Sequence, residues 1–209
     1  SYSNGVLDGK YMLRQPNESE VIYHYKENVL NGLHQVYHPL SELFGRVKAL
    51  EGYFVDGKVE GEISEYNEAG TKVVSTYYRA GLKEGIASVF DNEGRVRIAA
   101  EFKHDNQYGM AYEYFPSGAI MKQALFVEDQ KEGPETSFYQ NGQILSVQHY
   151  QHGKLHGLLQ EWNAKGVLIV EAEYQEGKRH GKFNKYNEDG TPKLKQRYEN
   201  DQLIEKWKA

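Results

Sequence analysis

The sequence predicts an all-β fold, an elongated single-layer antiparallel meander of about eight 24-residue β-hairpin repeats. Three observations support it: glycines recur every 24 residues, aromatic residues keep the same register, and the segments between turns are about six and eight residues long. Segments of that length suit strands better than helices. A fixed period of this kind is typical of repeat architectures. We therefore expect an open twisted sheet shaped as a rod or trough, with a closed barrel or sandwich as the alternative.

The glycines form three sets with the same 24-residue spacing. Where the third set lacks glycine it has Asn28, Asp105, Asp129 and Asp201, and Asn and Asp tolerate positive φ best among the other residues. The third set is therefore predicted to lie in tight left-handed turns, and Gly52 alone stands outside all three sets. In order, the regular members are Gly61, Gly85, Gly109, Gly133, Gly157 and Gly181; Gly70, Gly94, Gly118, Gly142, Gly166 and Gly190; and Gly57, Gly81, Gly153 and Gly177.

Alternation along the predicted strands indicates one apolar, aromatic face. Leu168, Val170 and Ala172 share one side of a strand, whereas Glu171 and Glu173 lie on the other. Tyrosine suits a thin sheet because its ring covers the face while its hydroxyl stays in water. One aromatic position recurs in every regular repeat and is predicted to form a stacked, partly exposed column that binds a partner: Tyr78, Phe102, Phe126, Tyr150 and Tyr174.

The whole chain, 1–209, is predicted to be a single array with irregular repeats at 1–56, regular repeats at 57–200 and a C-terminal cap at 201–209, with Trp207 covering the last hairpin. The irregular part has a longer loop at 38–45, which carries Leu40, Leu43 and Phe44 where other turns are polar. The favoured interpretation is that this loop folds back and covers the sheet. The alternative is partner recognition, because insertions in repeat arrays often map to a binding face.

Composition argues against several classes of function. The absence of cysteine excludes disulfides, thiol nucleophiles and cysteine zinc sites. A net charge of −5 disfavours nucleic acid, which requires a basic surface. Paired carboxylates such as Glu171 and Glu173 are expected by chance among 30 acidic residues, and His149, His152 and His156 are interpreted as surface histidines. We therefore predict no catalytic residues, no metal and no cofactor, and the protein is not expected to be an enzyme.

Two segments carry a family resemblance: Tyr-Gln-His-Gly-Lys-Leu-His-Gly at 150–157 and Tyr-Gln-Glu-Gly-Lys-Arg-His-Gly at 174–181. They resemble the MORN repeat, and more closely its bacterial variant in YwqK-type proteins. The resemblance implies an elongated sheet of hairpins that serves as an interaction module. Some YwqK-type members are described as antitoxins. Such a likeness indicates architecture more strongly than function.

The expected function is a non-enzymatic protein–protein interaction scaffold. One alternative is an antitoxin-like neutraliser of a toxin. A further one is peripheral association with phospholipid through the basic stretch from Lys178 to Arg197. No apolar run reaches the roughly 18–20 residues of a membrane span. Because the chain begins at Ser1 without Met, a cytoplasmic location is only slightly favoured over a secreted or periplasmic one. The partner and the oligomeric state are left open.

Overall fold

The structure, a computed structural model, describes residues 2–3 and 5–207, and the first two of these only by their backbone. Over this range the chain forms strands and turns and contains no helix. The strands follow one another as antiparallel neighbours, so the predicted all-β hairpin meander is confirmed. Contacts divide the chain into two compact units, one ending at Asn106 and the other beginning at Gln107.

The first unit begins with a small two-stranded ladder, β1 with β2, and continues as a meander. Its short strands β5 and β8 each continue into the next strand after one intervening residue. The bounds are β1 Tyr2–Ser3, β2 Val6–Leu7, β3 Gly9–Arg14, β4 Glu20–Lys26, β5 Val29–Leu30, β6 Gly32–Tyr37, β7 Lys48–Val55, β8 Lys58–Val59, β9 Gly61–Tyr66, β10 Lys72–Arg79, β11 Leu82–Phe90 and β12 Val96–Lys103.

In the second unit the strands alternate between eight and nine residues until the shorter last one. The bounds are β13 Asn106–Tyr114, β14 Ile120–Val127, β15 Gln130–Phe138, β16 Ile144–Gln151, β17 Lys154–Trp162, β18 Leu168–Gln175, β19 Lys178–Tyr186, β20 Pro192–Glu199 and β21 Gln202–Trp207. The predicted cap is therefore mostly a further strand, paired with β20. Trp207 is 42% exposed, and Lys208 and Ala209 lie outside the described residues.

From β4 onward, each hairpin closes with a two-residue turn in which both residues are left-handed. Ala80 and Gly81, for example, have φ values of 51° and 87°, as a type I′ turn requires. This confirms the left-handed prediction for the third glycine set, including its Asn and Asp members. The sequence interpretation missed the residue before it, which is also left-handed without being glycine: Glu27, Asp56, Ala80, His104, Glu128, His152, Glu176 and Asn200.

A five-residue turn joins successive hairpins, and a side chain stabilises it. In the turn from Asn67 to Thr71, the Asn67 N–H donates to the Thr71 carbonyl and the Gly70 N–H donates to the Asn67 carbonyl, both at 2.9 Å. The Asn67 Oδ1 also accepts from the backbone N–H groups of Ala69 and Thr71. Asp91 and Asn163 do the same in their own turns. An Asn or Asp at the turn start therefore replaces a backbone partner.

The first glycine set lies in β-bulges. Gln148 pairs with Leu159 and Tyr150 pairs with Leu155, so three residues around Gly157 oppose the single residue His149. Gly157 has φ 97°, a region that other residues enter only at a cost. Because bulges of this kind increase local twist, the repeat sets the twist of each hairpin through its glycine.

The buried apolar side chains of the second unit lie on the predicted apolar face, near the middle of the strands. In the second unit Ala124, Leu159 and Ala172 are buried, and the register places Leu159 opposite Ala172. Ile98, on the same face in the first unit, is exposed. The predicted apolar face is therefore shielded at these second-unit positions, whereas Ile98 remains in contact with water.

Gly52 has a packing explanation. It is the one glycine whose φ is not positive among those the structure describes. A Cβ atom at this position would overlap the Cδ1 atom of Ile63. Gly52 therefore provides space for a side chain on the neighbouring strand and does not form a turn.

The first unit packs five rings near its beginning, and a histidine lies among them. His34 stacks on Tyr23 with ring centroids 4.7 Å apart, and meets Phe54 edge-on at 5.7 Å. Tyr11 and Tyr25 extend the cluster. Burial lowers the pKa of His34, although the Nδ1–H group donating to the Ile22 carbonyl favours the charged form. The cluster therefore favours the neutral imidazole.

We expect this histidine to make stability fall as the solution becomes acidic. Below its ordinary pKa of about 6.5, the unfolded chain binds a proton that folded His34 resists, so folding stability is lost as pH falls from 7.5 toward about 5.5. The His34→Phe variant should show a shallower decline in urea midpoint over this interval. His152→Gln, at an exposed turn position, serves as control and should keep the wild-type slope. Equal slopes for His34→Phe and wild type would contradict the assignment.

Candidate partner-binding surface

The loop at 38–45 is closed by its own hydrogen bonds. The Ser41 N–H donates to the Gly45 carbonyl at 3.1 Å, and the Gly45 N–H donates to the Ser41 carbonyl at 2.8 Å. The Ser41 Oγ accepts from the backbone N–H groups of Leu43 and Phe44 at 3.2 and 3.3 Å. Three residues are therefore presented at the tip of a small bridged loop, which we call the apolar knob: Glu42, Leu43 and Phe44.

The knob and Leu40 face solvent. The exposed fractions of Leu40, Leu43 and Phe44 are 55%, 80% and 48%. The favoured expectation that this loop covers the sheet is therefore wrong for these side chains. The bridge between Ser41 and Gly45 explains the outcome, because it turns the chain back on itself. Only the base of the loop packs, around a cavity of about 190 Å³ lined by His38, Pro39, Leu40, Ser41, Gly45, Val47 and Glu68.

His38 anchors the loop to the neighbouring turn. Its N–H donates to the Val47 carbonyl at 2.9 Å, in the pattern that Asn67 uses to start its own turn. Its Nε2–H group donates to the Tyr66 carbonyl at 2.8 Å. The loop is thus an enlarged version of the five-residue turn, fixed at its base and extended at its tip.

The predicted aromatic column is only partly accessible. Tyr78, Phe102, Phe126, Tyr150 and Tyr174 are all half-buried, and burial raises the pKa values of the three tyrosines. Instead of stacking continuously ring on ring, two of these rings are covered by a cation from the adjacent strand. Lys83 Nζ lies 5.2 Å from the Phe102 centroid and Lys131 Nζ lies 4.8 Å from that of Tyr150. These cation–π contacts leave less ring surface for a partner.

An ion pair with a buried carboxylate and a half-buried ammonium lies beside Tyr150, and the sequence interpretation did not identify it. Glu135 is 6% exposed and accepts a hydrogen bond from Lys131 Nζ. Burial opposes the charge on Lys131, but the hydrogen bond and charge of Glu135 outweigh it, so the pKa of Lys131 is raised. A comparison of equivalent positions in the repeats could have identified Glu135. The other repeats have an apolar residue at this position: Ile63, Ala87, Ala111, Leu159 and Phe183.

Two consecutive turns replace the stabilising Asn or Asp with an aromatic residue. Phe115 and Tyr139 occupy the turn-start position and keep its backbone hydrogen bonds. The Tyr139 hydroxyl donates to the Trp162 carbonyl at 2.8 Å. Between the two turns lies an open cavity of about 420 Å³, which we call the aromatic turn pocket, lined by Phe115, Met121, Lys122, Ser137, Phe138, Tyr139, Gln140 and Leu145. The sequence signal was again a departure from the repeat.

A glutamate before the bulge glycine stabilises the neighbouring two-residue turn. Glu60, Glu84 and Glu132 accept from the backbone N–H groups of Ala80, His104 and His152 at 2.7, 3.1 and 2.9 Å. His156 and His180 occupy the same position later in the chain. Their Nδ1 atoms are buried, and the described part of the chain offers them no hydrogen-bond partner.

Restoring the carboxylate should stabilise the last hairpins. In His180→Glu, the new side chain can accept from the backbone N–H of Asn200, as Glu132 does from that of His152. One such bond contributes about 0.5–1.5 kcal/mol, so the urea midpoint should rise by a corresponding amount. His180→Ala, which offers no acceptor, should not show this gain. A midpoint for His180→Glu at or below that of His180→Ala would rule out this role of the glutamates.

Two of the histidines considered as metal ligands, His149 and His152, are accounted for by a backbone hydrogen bond and by a turn position. The His149 Nδ1–H group donates to the Leu158 carbonyl at 2.8 Å, and His152 lies in a turn. No group of three His, Cys, Asp or Glu residues within the described ranges has the proximity to hold a metal ion. Nor do these ranges include a helix long and apolar enough to span a bilayer.

Comparisons with known proteins identify one segment. Residues 131–152 match the family model of the MORN repeat variant. No curated protein matches the chain. Among solved structures, one match is a crystal structure of a S. aureus TarM mutant in complex with fondaparinux, alpha-GlcNAc-glycerol and UDP, at 10% identity and a TM-score of 0.26. The match covers 70% of this chain and 21% of that one. This likeness carries no argument about activity.

Proposed function

We propose that this chain, whose residues 131–152 match the MORN repeat variant, is a non-enzymatic scaffold that binds another protein through the apolar knob. MORN repeats generally serve as interaction motifs and not as enzymes. The observation that carries the proposal is the 80% exposure of Leu43 on a loop closed by four hydrogen bonds. An antitoxin-like role is a special case of the same proposal and stays a prediction.

The geometry of the loop favours binding over a purely structural role. An apolar side chain gains about 25 cal/mol for each Å² removed from water, and Leu43 has most of its surface still to bury. The bridge between Ser41 and Gly45 holds the tip in one conformation. Ordering a loop on binding costs affinity, and here the loop is ordered beforehand. The knob therefore combines apolar surface with a low entropic cost.

The aromatic column is the second predicted contact surface. Its rings are half-buried and two of them carry cations. Aromatic residues and arginine are enriched among residues that dominate binding energy. The column nevertheless has less free surface than the knob, so we expect it to contribute less. A partner that uses both surfaces should lose most of its affinity when the knob alone is changed.

The test is capture from lysate of the producing cells, followed by calorimetry with the purified partner. The variant Leu43→Ser with Phe44→Ser removes the apolar tip and keeps Ser41, Gly45 and their bridge. Residues that dominate an interface each contribute more than 1 kcal/mol, so the double variant should bind at least tenfold more weakly. The matched control is Ile86→Ser, an exposed apolar residue of a regular repeat, which should bind as wild type does.

The capture experiment can overturn the proposal in two ways. If no protein is retained in stoichiometric amount by the wild-type chain, the scaffold proposal loses its basis. If a partner binds the wild type and the knob variant equally, the knob is not the contact. A variant of the column, Tyr174→Ser, then shows whether that partner uses the aromatic face.

A second candidate, association with anionic phospholipid, has its own observation. Lys182 pairs with Arg197 and Asn184 pairs with Lys195 across β19 and β20, so the three cations share one face. All three are exposed. The Arg197 Nε atom lies 3.9 Å from a Glu205 carboxylate oxygen. Glu171 and Glu173 border the three cations on β18. Each basic residue near an anionic membrane surface contributes about 1 kcal/mol.

Vesicle sedimentation tests this candidate. Wild type should bind vesicles rich in phosphatidylserine, and binding should fall as salt increases. Lys182→Glu with Lys195→Glu should weaken binding at least tenfold, at about 1 kcal/mol per charge removed. Lys154→Glu with Lys165→Glu, two exposed lysines outside the patch, is the matched charge control. Vesicle binding that does not depend on salt concentration or on the content of anionic lipid would exclude this role.

A further inference from the structure

We infer that the chain self-associates head to tail, with the apolar knob of one copy seated in the aromatic turn pocket of a second copy. The inference deepens the proposed function and rests on it, because it names a partner for the same knob. It joins two departures from the repeat, the enlarged loop at 38–45 and the aromatic turn starts at Phe115 and Tyr139.

The pocket has the properties of a receptor for apolar side chains. Phe115, Phe138 and Tyr139 supply ring surface, and Met121 and Leu145 complete an apolar lining. Its volume of about 420 Å³ lies within the roughly 300–1,000 Å³ range of ligand pockets. The Tyr139 hydroxyl is fixed by its bond to the Trp162 carbonyl, so this wall is held in place. In other repeats this turn position holds Asn67 or Asn163, which provides no aromatic ring.

The knob matches this pocket in polarity and in charge. Leu43 and Phe44 are the apolar groups, and Glu42 is the one charged residue of the tip. Lys122 is the one charged residue of the pocket lining, and its Nζ lies 3.4 Å from Glu113 in a partly exposed pair. An exposed pair of this kind contributes little by itself, so Lys122 can share its charge with an incoming Glu42. Opposite charges beside the contact favour one orientation.

The two surfaces differ, and this determines the kind of assembly. A knob on one part of a chain that fits a pocket on another part makes a heterologous contact. Each bound copy then still offers one free knob and one free pocket. Association is therefore open-ended unless the rotation between copies closes a ring.

Sedimentation velocity over a range of concentrations is the first measurement. The wild-type mass should rise with concentration. The knob variant Leu43→Asp with Phe44→Asp should stay monomeric, with an association constant at least tenfold lower. So should the pocket variant Phe115→Asn with Tyr139→Asn, which installs the residue that Asn67 and Asn163 already place at this turn position. The control Ile86→Asp should associate as wild type does.

A mixture of the two variants tests the geometry directly. The knob variant retains its pocket and the pocket variant retains its knob, so an equimolar mixture should form a one-to-one complex and nothing larger. A charge exchange adds a second test. Glu42→Lys and Lys122→Glu should each weaken self-association, and a mixture of the two should associate more strongly than either alone.

Three outcomes would overturn the inference. These are a monomeric wild type at every concentration, self-association that survives both variants, and variants that fail to combine when mixed. A monomeric wild type that still binds a different protein through Leu43 and Phe44 would overturn only the choice of partner and leave the proposed function in place. A wild-type chain that neither self-associates nor binds a different protein would overturn both the inference and the proposed function.

Discussion

Replacing Lys131 by leucine should lower the free energy of unfolding by about 1–3 kcal/mol, the usual cost of leaving a buried acceptor without its donor. The substitution leaves the carboxylate of Glu135, 6% exposed, without the ammonium that donates to it. It also removes the cation over the Tyr150 ring. The cost arises mainly from an uncompensated buried charge and not from the lost attraction alone.

The chain provides its own control for this prediction. One repeat later the same two positions hold Leu155 and Leu159, and Leu159 is buried. The double variant Lys131→Leu with Glu135→Leu therefore copies a pair that already packs in this sheet. Replacing a buried ion pair by apolar residues is often neutral or stabilising, so the double variant should recover most or all of the loss.

Urea denaturation of wild type, both single variants and the double variant completes a thermodynamic cycle. The free energy of unfolding should fall markedly for Lys131→Leu and change little or not at all for the double variant. Additive losses would show that the two residues act independently, contrary to the geometry. Glu135→Leu alone leaves a lysine that can reach solvent, and it should cost less than Lys131→Leu.

The second large effect is expected at a bulge glycine. Gly157→Ala should cost about 1–3 kcal/mol, the strain of a residue held in a sparsely populated backbone region. The φ of 97° at this position exceeds the narrow left-handed region open to other residues. The nearest atom to a new Cβ is the His149 Cβ at 3.6 Å, an ordinary contact. The cost therefore comes from the backbone and not from a clash.

Gly153→Asn is the matched control. Gly153 has φ 76° at the second position of a two-residue turn, where Asn28 has φ 66° and Asp129 has φ 63°. Asparagine should be accepted here with a change of a few tenths of a kcal/mol, because it tolerates this region. Comparable losses for Gly157→Ala and Gly153→Asn would show that the two glycine sets are not distinct, and that the bulge does not select glycine.

Much of the fold was predictable because each type of turn occurs in several repeats, with different residues at the same position. Asp105 and Asp129 replace glycine in the third set, and this substitution pattern alone indicates left-handed turns. The succession of antiparallel strands followed from the constant spacing. The bulges did not follow, because a glycine with φ near 97° and one with φ near 76° look alike in a sequence. Distinguishing them needs the pairing partner.

The candidate site was predictable only in part. Leu43 and Phe44 were identified by being apolar in a turn, but whether they face the sheet or the solvent depends on the bridge between Ser41 and Gly45. Phe115, Tyr139 and Glu135 were missed because the interpretation followed what the repeats share. Each departs from its equivalents in other repeats, and a position-by-position comparison of the repeats would have found all three.

The pairing pattern within the second unit also bears on how fast it folds. Tyr150 pairs with Leu155, and the more distant pairing of Gly157 with Tyr174 spans only 17 residues. Folding rates fall as the mean separation of contacting residues grows, which is why most all-β domains fold slowly. A meander whose strands pair with the next strand along the chain has little loop-closure entropy to overcome. This unit should therefore fold faster than a sandwich of the same length, from hairpins that form locally and extend strand by strand.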